Sequence, residues 1–259
     1  MQKSKKKQIV IVGAGLIGST MAIALASKGF DVTVVDGAKK KDRIERNKGR
    51  TYALSRTSKN LLSNLGLWDP KKLYVSPIEN VVLSARNETS NTIGHLAEFN
   101  KESSKIGPSS YMIEDAYLRA VLSSEIDRNT KIEIVNSTEV IQAETNSFEA
   151  KIMLSDKSSI STEILIISGG RESAFVKRLN KRFFRKSYNQ VAIVGNLSHK
   201  NLHNFVAHQI FLPGGPLAIL PLKGKRSTFV WTLPIEMGNK LSKSKGEVFI
   251  NHLIENIGD

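Results

Sequence analysis

The chain has 259 residues, 40% of them apolar and 24% charged, and it contains no cysteine. That length supports one large core or two modest ones, and the missing thiols exclude disulfides, iron–sulfur clusters and thiolate zinc sites. The formal net charge of +14 favours anionic partners in general, but the lysines are dispersed among Asn, Ser and Ile with no recognition motif, so nucleic acid is not an expected partner.

The N-terminus pairs a basic run, Lys3 to Lys7, with an apolar stretch over 9–26, as a secretory signal does. Gly13, Gly15 and Gly18 break that stretch at fixed spacing, which reads instead as strand, turn and helix retained in a soluble protein, and not as a membrane span. Residues 8–12 form a β-branched apolar run typical of a buried parallel strand. Residues 17–28 are helical with small residues at Gly18, Ala22 and Ala26, and 31–36 form a second buried strand, completing a βαβ unit. A basic loop over 39–48 follows. Residues 51–66 read as a helix with Leu54, Leu61, Leu62 and Leu65 inward. Strands are expected over 75–99, with Val81, Leu83 and Ala85 alternating, then a helix over 115–124 and a meander over 131–140 and 148–154. Residues 163–167 read as another buried strand ending at Ser168-Gly169-Gly170, followed by a basic helix to about residue 184. Alternation over 190–195, 207–212, 217–222 and 227–233 predicts sheet strands, and 248–256 a last helix.

The segment Gly13-Ala14-Gly15-Leu16-Ile17-Gly18 is a GxGxxG turn between strand and helix. Its first glycine permits the tight turn, its second lets backbone approach a pyrophosphate, and its third lets helix and strand pack closely. Phosphates suit the helix N-terminus, where amides and the dipole favour anions. Asp36 closes the second strand, where an acid accepts hydrogen bonds from an adenosine ribose. An acid there disfavours a 2′-phosphate, so FAD or NAD fits better than NADP.

Arg50-Thr51-Tyr52-Ala53-Leu54-Ser55 and Leu65-Gly66-Leu67-Trp68 resemble the Arg-x-x-Ala-Leu segment and Leu-Gly-hydrophobic-Trp ending of the UbiH/UbiF/VisC/Coq6 family, the FAD-dependent hydroxylases of ubiquinone biosynthesis. Residues 111–122 are similar to that family's helix after its first substrate-domain excursion. Ile167-Ser168-Gly169-Gly170-Arg171-Glu172-Ser173 resembles its second motif, Gly-Ala-Asp-Gly-x-x-Ser, with Gly170 and Ser173 kept and Gly169 in place of the acid. Gly215-Pro216-Leu217-Ala218-Ile219-Leu220-Pro221-Leu222, Tyr188 to Val194 and Val230-Trp231-Thr232 are similar to its substrate-domain strands. Nothing after Trp231 matches its third motif, Gly-Asp-Ala-Ala-His, so the chain is expected to be a fragment, a split gene product or a decayed gene.

The resemblance implies an α/β fold of the class A flavin monooxygenase type: a Rossmann-like FAD-binding domain over 1–74 and 108–180, and a mixed β-sheet substrate domain over 75–107 and 181–259. It implies FAD as cofactor, NAD(P)H or a redox partner as electron donor, and hydroxylation of a polyprenylated phenol. Gly13, Ala14, Gly15, Gly18, Asp36, Arg50 and Gly170 are the expected cofactor residues, and none is assigned a catalytic proton transfer because the cofactor carries that chemistry. A cytoplasmic location is expected, with peripheral contact at the inner membrane and with other ubiquinone-biosynthesis proteins open. The rival readings are a plain NAD-dependent dehydrogenase and a non-catalytic, partner-binding remnant. Two further clusters are set aside: His199, His203 and His208 as a metal site, since they fall on loop and strand, and the basic run from Lys177 to Lys186 as a lipid-binding helix, since a solvated face explains it.

Overall fold

The computed structural model describes residues 5–45, 49–87, 92–100, 107–170, 173–179, 184 and 186–257. They fall into two compact units, Met1–Lys48 with Leu62–Trp68 and Ala116–Phe184, and Gly49–Leu61 with Asp69–Asp115 and Arg185–Asp259.

In chain order, the elements begin with β1 (Lys5–Val12), α1 (Leu16–Ala26), β2 (Val32–Asp36), α2 (Lys40–Glu45), β3 (Thr51–Ser55) and α3 (Arg56–Asn64). Next come β4 (Ser76–Ile78), β5 (Asn80–Arg86), β6 (Ile93–Asn100), β7 (Ser110–Glu114) and α4 (Asp115–Arg128). Then follow β8 (Ile132–Asn136), β9 (Val140–Thr145), β10 (Ala150–Leu154), β11 (Ser159–Ile167) and α5 (Ala174–Arg178). The last are β12 (Gln190–Ser198), β13 (Val206–Leu212), β14 (Gly215–Leu222), β15 (Arg226–Pro234), α6 (Ile235–Ser242) and α7 (Gly246–Ile257).

The first unit is built on a six-stranded sheet of order β8-β2-β1-β11-β10-β9. Its parallel centre explains the sequence pattern: Ile9 to Val12 and Val32 to Val35 are buried throughout, because helices and loops cover both faces of such strands. Val10, Val12, Val35, Ile152, Leu154 and Phe175 form one core cluster there. β1 starts three residues earlier than its apolar run suggests, since Lys5 to Lys7 pair with Ile160 to Thr162 of β11.

The second unit holds a six-stranded sheet of order β12-β15-β14-β13-β5-β6 and a three-stranded sheet of order β3-β7-β4. β5 and β13 run parallel and the other pairs antiparallel. Trp231, Leu217, Phe229, Leu233, Leu241 and Leu253 pack into its main cluster, with the Trp231 and Phe249 rings 6.3 Å apart.

Several expectations need correction. Residues 51–66 are not one helix: Thr51 to Ser55 pair with Ser110 to Glu114 as a strand, and the helix starts at Arg56. Leu62 is buried but Leu61 is 46% exposed, because adjacent positions lie about 100° apart on a helix and cannot share its inner side. The segment over 111–122 likewise splits, its first residues pairing in β7 before α4 begins at Asp115 and runs on to Arg128. The basic loop contains the helix α2. The helix after Gly170 ends at Arg178, and Lys181, Arg182 and Arg185 lie outside the described residues.

Gly18 sits where α1 crosses the turn after β1. A Cβ there would lie 1.9 Å from the Gly13 carbonyl oxygen and 2.4 Å from Ser168 Oγ. Alanine gains about 1 kcal/mol of helix propensity over glycine, but overpacking against backbone costs about 1–3 kcal/mol. Gly18→Ala is therefore expected to be a net loss of about 2 kcal/mol, since the backbone obstacle places the cost at the upper end. Urea unfolding checks this, and an unchanged or raised midpoint would contradict the packing role.

Candidate functional site: a dinucleotide cleft in the first unit

The turn after β1 is shaped by backbone. Gly13 takes φ +102°, a conformation only glycine adopts cheaply, and its amide donates to the Val35 carbonyl at 2.8 Å. Gly15 is the extended residue before α1, with φ −70° and ψ −177°. No side chain caps that helix and its first turn carries no acid, so its first amides are left for an external acceptor. A Cβ built on Gly15 meets nothing within 4 Å, so the space beside it is open.

Asp36 lies at the end of β2, next to this turn. Its Oδ2 accepts from the Ala14 amide at 2.7 Å and its Oδ1 from the Ala38 amide at 2.8 Å. A carboxylate offers about four lone-pair sites, so each oxygen retains capacity for a ligand hydroxyl. Asp36 opens onto a cleft of about 260 Å³ lined also by Gly13, Gly37, Glu139, Gly169 and Phe175. That is close to the ~300 Å³ at which small-molecule sites begin. At Gly37 the chain passes so near the residue before β9 that a Cβ would lie 2.7 Å from Glu139 Cγ.

The second motif closes this site from the β11 side. The Ser168 amide donates to the Val12 carbonyl at 2.8 Å, and its hydroxyl donates to the Gly13 carbonyl at 2.8 Å. A Cβ on Gly13 would meet Gly169 Cα at 2.9 Å, so the two motifs touch backbone to backbone. Gly170 turns the chain at φ +79°. Ser173 then caps α5, its Oγ accepting from the Val176 amide at 3.4 Å. The same hydroxyl occupies the space beside Gly169, where a Cβ would lie 2.6 Å from it. An acid at 169 could enter only if Ser173 moved.

Gly13, Ala14, Gly15, Gly18, Asp36 and Gly170 thus come together within the first unit, and they fit the adenosine and diphosphate of a dinucleotide: free helix amides, an open glycine and a pinned acid beside a cleft. Arg50 belongs to the second unit. Its guanidinium lies 5.3 Å from the Tyr52 ring centroid, the Tyr52 hydroxyl donates to Asp115 Oδ1 at 2.9 Å, and the Asp115 amide donates to the Arg50 carbonyl at 2.8 Å. Asp115 is fully buried. Sequence reasoning missed Tyr52, Asp115, Ser168 and Arg43; only Asp115, an acid opening a helix, left a local signal, and it reads as a cap.

His199 and His203 are committed to local bonds. His203 Nε2 donates to the Leu222 carbonyl at 2.7 Å while Nδ1 accepts from the Phe205 amide at 3.0 Å. His199 contacts the Asn201 carbonyl and Ser227 Oγ at 2.7 and 3.0 Å. Among the described residues no helix is long and apolar enough to cross a membrane.

Fold and cleft define an α/β protein with a Rossmann-type dinucleotide site. Residues 6–258 match the family described as FAD binding domain. The chain belongs to that family, whose cofactor is FAD. It is 29% identical over 256 residues to ubiquinone hydroxylase UbiL of Rhodospirillum rubrum, covering 98% of this chain and 58% of that protein. It is 30% identical over 274 residues to the mitochondrial ubiquinone biosynthesis monooxygenase COQ6 of Schizosaccharomyces pombe, covering 97% and 56%. The chain thus spans less than two thirds of these relatives. The structure of Pseudomonas aeruginosa PqsL with 2-aminobenzoylacetate superposes with a TM-score of 0.83 at 19% identity, covering 98% of this chain and 68% of that one, and shows the same fold.

Gly15 separates binding from folding. Gly15→Val is expected to abolish ADP and FAD binding while leaving stability within about 0.5 kcal/mol, because its side chain enters the open space proposed for the diphosphate. Calorimetric titration with circular dichroism checks both halves; tight binding by the variant would overturn the assignment.

Proposed function

We propose that this chain is the FAD-holding part of an FAD-dependent monooxygenase that hydroxylates a polyprenylated phenol in ubiquinone biosynthesis. The single observation behind it is the open α1 terminus at Gly15 beside the pinned Asp36, in a chain similar to ubiquinone hydroxylases over nearly all its length. Gly13, Ala14, Gly15 and Gly170 shape the diphosphate turn, Gly18 packs it, Asp36 takes the adenosine ribose, and Arg50 offers a cation to anionic oxygens. Bound FAD supplies the redox and oxygen chemistry, with electrons from NAD(P)H or a redox partner. The chain's own residues bind, orient and shield it. The proposed division is an FAD-binding domain over 1–74 and 108–180 and a substrate domain over 75–107 and 181–259. A cytoplasmic location with peripheral membrane contact suits a polyprenyl substrate, as does association with other proteins of the pathway.

Gly169 favours a second reading, in which the chain needs a partner to be active. The resembled motif has an acid there, and this chain has glycine. A loosely held flavin leaks electrons, because productive oxygen transfer requires a rigid site closed to water. The test supplies FAD, NAD(P)H, O₂ and a prenylated phenol, and measures product against hydrogen peroxide. The expected outcome is FAD-dependent oxidation that yields mostly peroxide. Efficient hydroxylation would overturn the partner-dependent reading, and no FAD-dependent oxidation of either kind would overturn the monooxygenase.

A further inference from the structure

Behind Asp36 lies a buried cation that neither the GxGxxG turn nor the second motif accounts for. Arg43 comes from α2, inside the lysine-rich run, yet its side chain is only 9% exposed, against 13% for Asp36. Its Nη1 donates to Asn136 Oδ1 at 2.7 Å and to the Ala38 carbonyl at 3.4 Å, and lies 3.8 Å from Asp36 Oδ1. Asn136 is the register partner of Asp36 where β2 pairs with β8. The guanidinium therefore joins the ends of two neighbouring strands to the loop that follows one of them.

The placement is one-sided. Asp36 lines the cleft of about 260 Å³ and Arg43 does not. Arg43 and Asn136 line a separate space of about 50 Å³, with Ala14, Gly15 and Ser19 at its wall. The cation thus meets the carboxylate from outside that cleft, in a space walled by the same turn that carries Gly15. A long charged side chain is ordinarily kept in water unless it is paired, and this one is held by one carboxylate and two neutral acceptors.

We infer that Arg43 is a positioning residue: it fixes the Asp36 carboxylate from behind, so that the lone pairs left over from Ala14 and Ala38 face the ribose hydroxyls. The inference rests on the reading that Asp36 takes the ribose. The two amides hold one plane of the carboxylate, but they are borne by a turn and a loop. Arg43 ties that loop, through Ala38, to the rigid end of β8 through Asn136. Without it, the carboxylate is free to turn toward the vacated space and water, and selectivity for a 2′-hydroxyl is lost before general affinity is. Lysine restores the charge but spans fewer acceptors than the planar fork of arginine.

The experiment titrates ADP and 2′-deoxy-ADP by calorimetry into the full chain and into Arg43→Met, Arg43→Lys and Asn136→Ala, with folding followed by circular dichroism. The unsubstituted chain is expected to prefer ADP by roughly ten- to a hundredfold, the range of one charge-assisted hydrogen bond. Arg43→Met is expected to bring the ratio near unity, Arg43→Lys to recover part of it, and Asn136→Ala to lower it in the same direction. A merely structural role would weaken both nucleotides equally and keep the ratio. A folded Arg43→Met with the full preference overturns the inference; if that variant fails to fold, an unchanged ratio in Asn136→Ala does so. Absence of any preference in the unsubstituted chain would instead remove the ribose role of Asp36, and the inference with it.

Discussion

Three backbone segments meet at Gly13 with no room for a side chain. The end of β1 turns there, the first turn of α1 presses on its carbonyl through Gly18, and the chain leaving β11 crosses it at Ser168 and Gly169. The tolerances are a few tenths of an ångström, and a single added carbon has nowhere to go. The Ser168 hydroxyl on the Gly13 carbonyl secures the contact with a hydrogen bond, but the steric fit is the stronger constraint. Everything the cleft offers follows from it. The bare helix terminus points outward because Gly15 follows directly, and Asp36 reaches the Ala14 amide because the turn passes directly over the end of β2.

The chemistry is divided accordingly. In the proposed reading, backbone amides meet the charge of a diphosphate, where the helix dipole adds to their effect. Among the described residues, Asp36 is the side chain proposed to recognise the adenosine half, and it is braced by two amides and the buried Arg43. In the second unit the same economy appears around Arg50, whose carbonyl and ring neighbour are both tied to the buried Asp115. If Arg50 meets a ligand as proposed, a support that does not itself shift presents it best, since each immobilised rotamer-rich side chain costs about 0.5–1.5 kcal/mol on binding.

Much of this was legible in the sequence because it is local. Gly13, Gly15, Gly18 and Asp36 sit within one βαβ unit, and their spacing carries the turn, the helix start and the strand end together. The parts that were not legible depend on partners far along the chain. Ser168 acts on a residue 155 positions away, and the identity of a serine says nothing about that. Residues 51–55 form a strand because Ser110 to Glu114 lie alongside, although the leucine spacing over 51–66 suits a helix; pairing outweighs local propensity. Arg43 was hidden among lysines and read as part of a basic loop. Only the short helix α2 turns it inward, and nothing in the composition of 39–48 distinguishes it from its neighbours. Gly169 was visible as a departure from a motif, but the close approach of the Ser173 hydroxyl to it is a matter of packing alone.

The central claim is that the first unit recognises the adenosine and diphosphate half of FAD, and a titration of the 259-residue chain with FAD and with FMN, followed by quenching of flavin fluorescence, tests it most directly. FMN has the same ring system but lacks the adenosine proposed for Asp36 and its cleft. The account predicts tight binding of FAD and weak or undetectable binding of FMN; equal affinity for the two, or no binding of either, would contradict it.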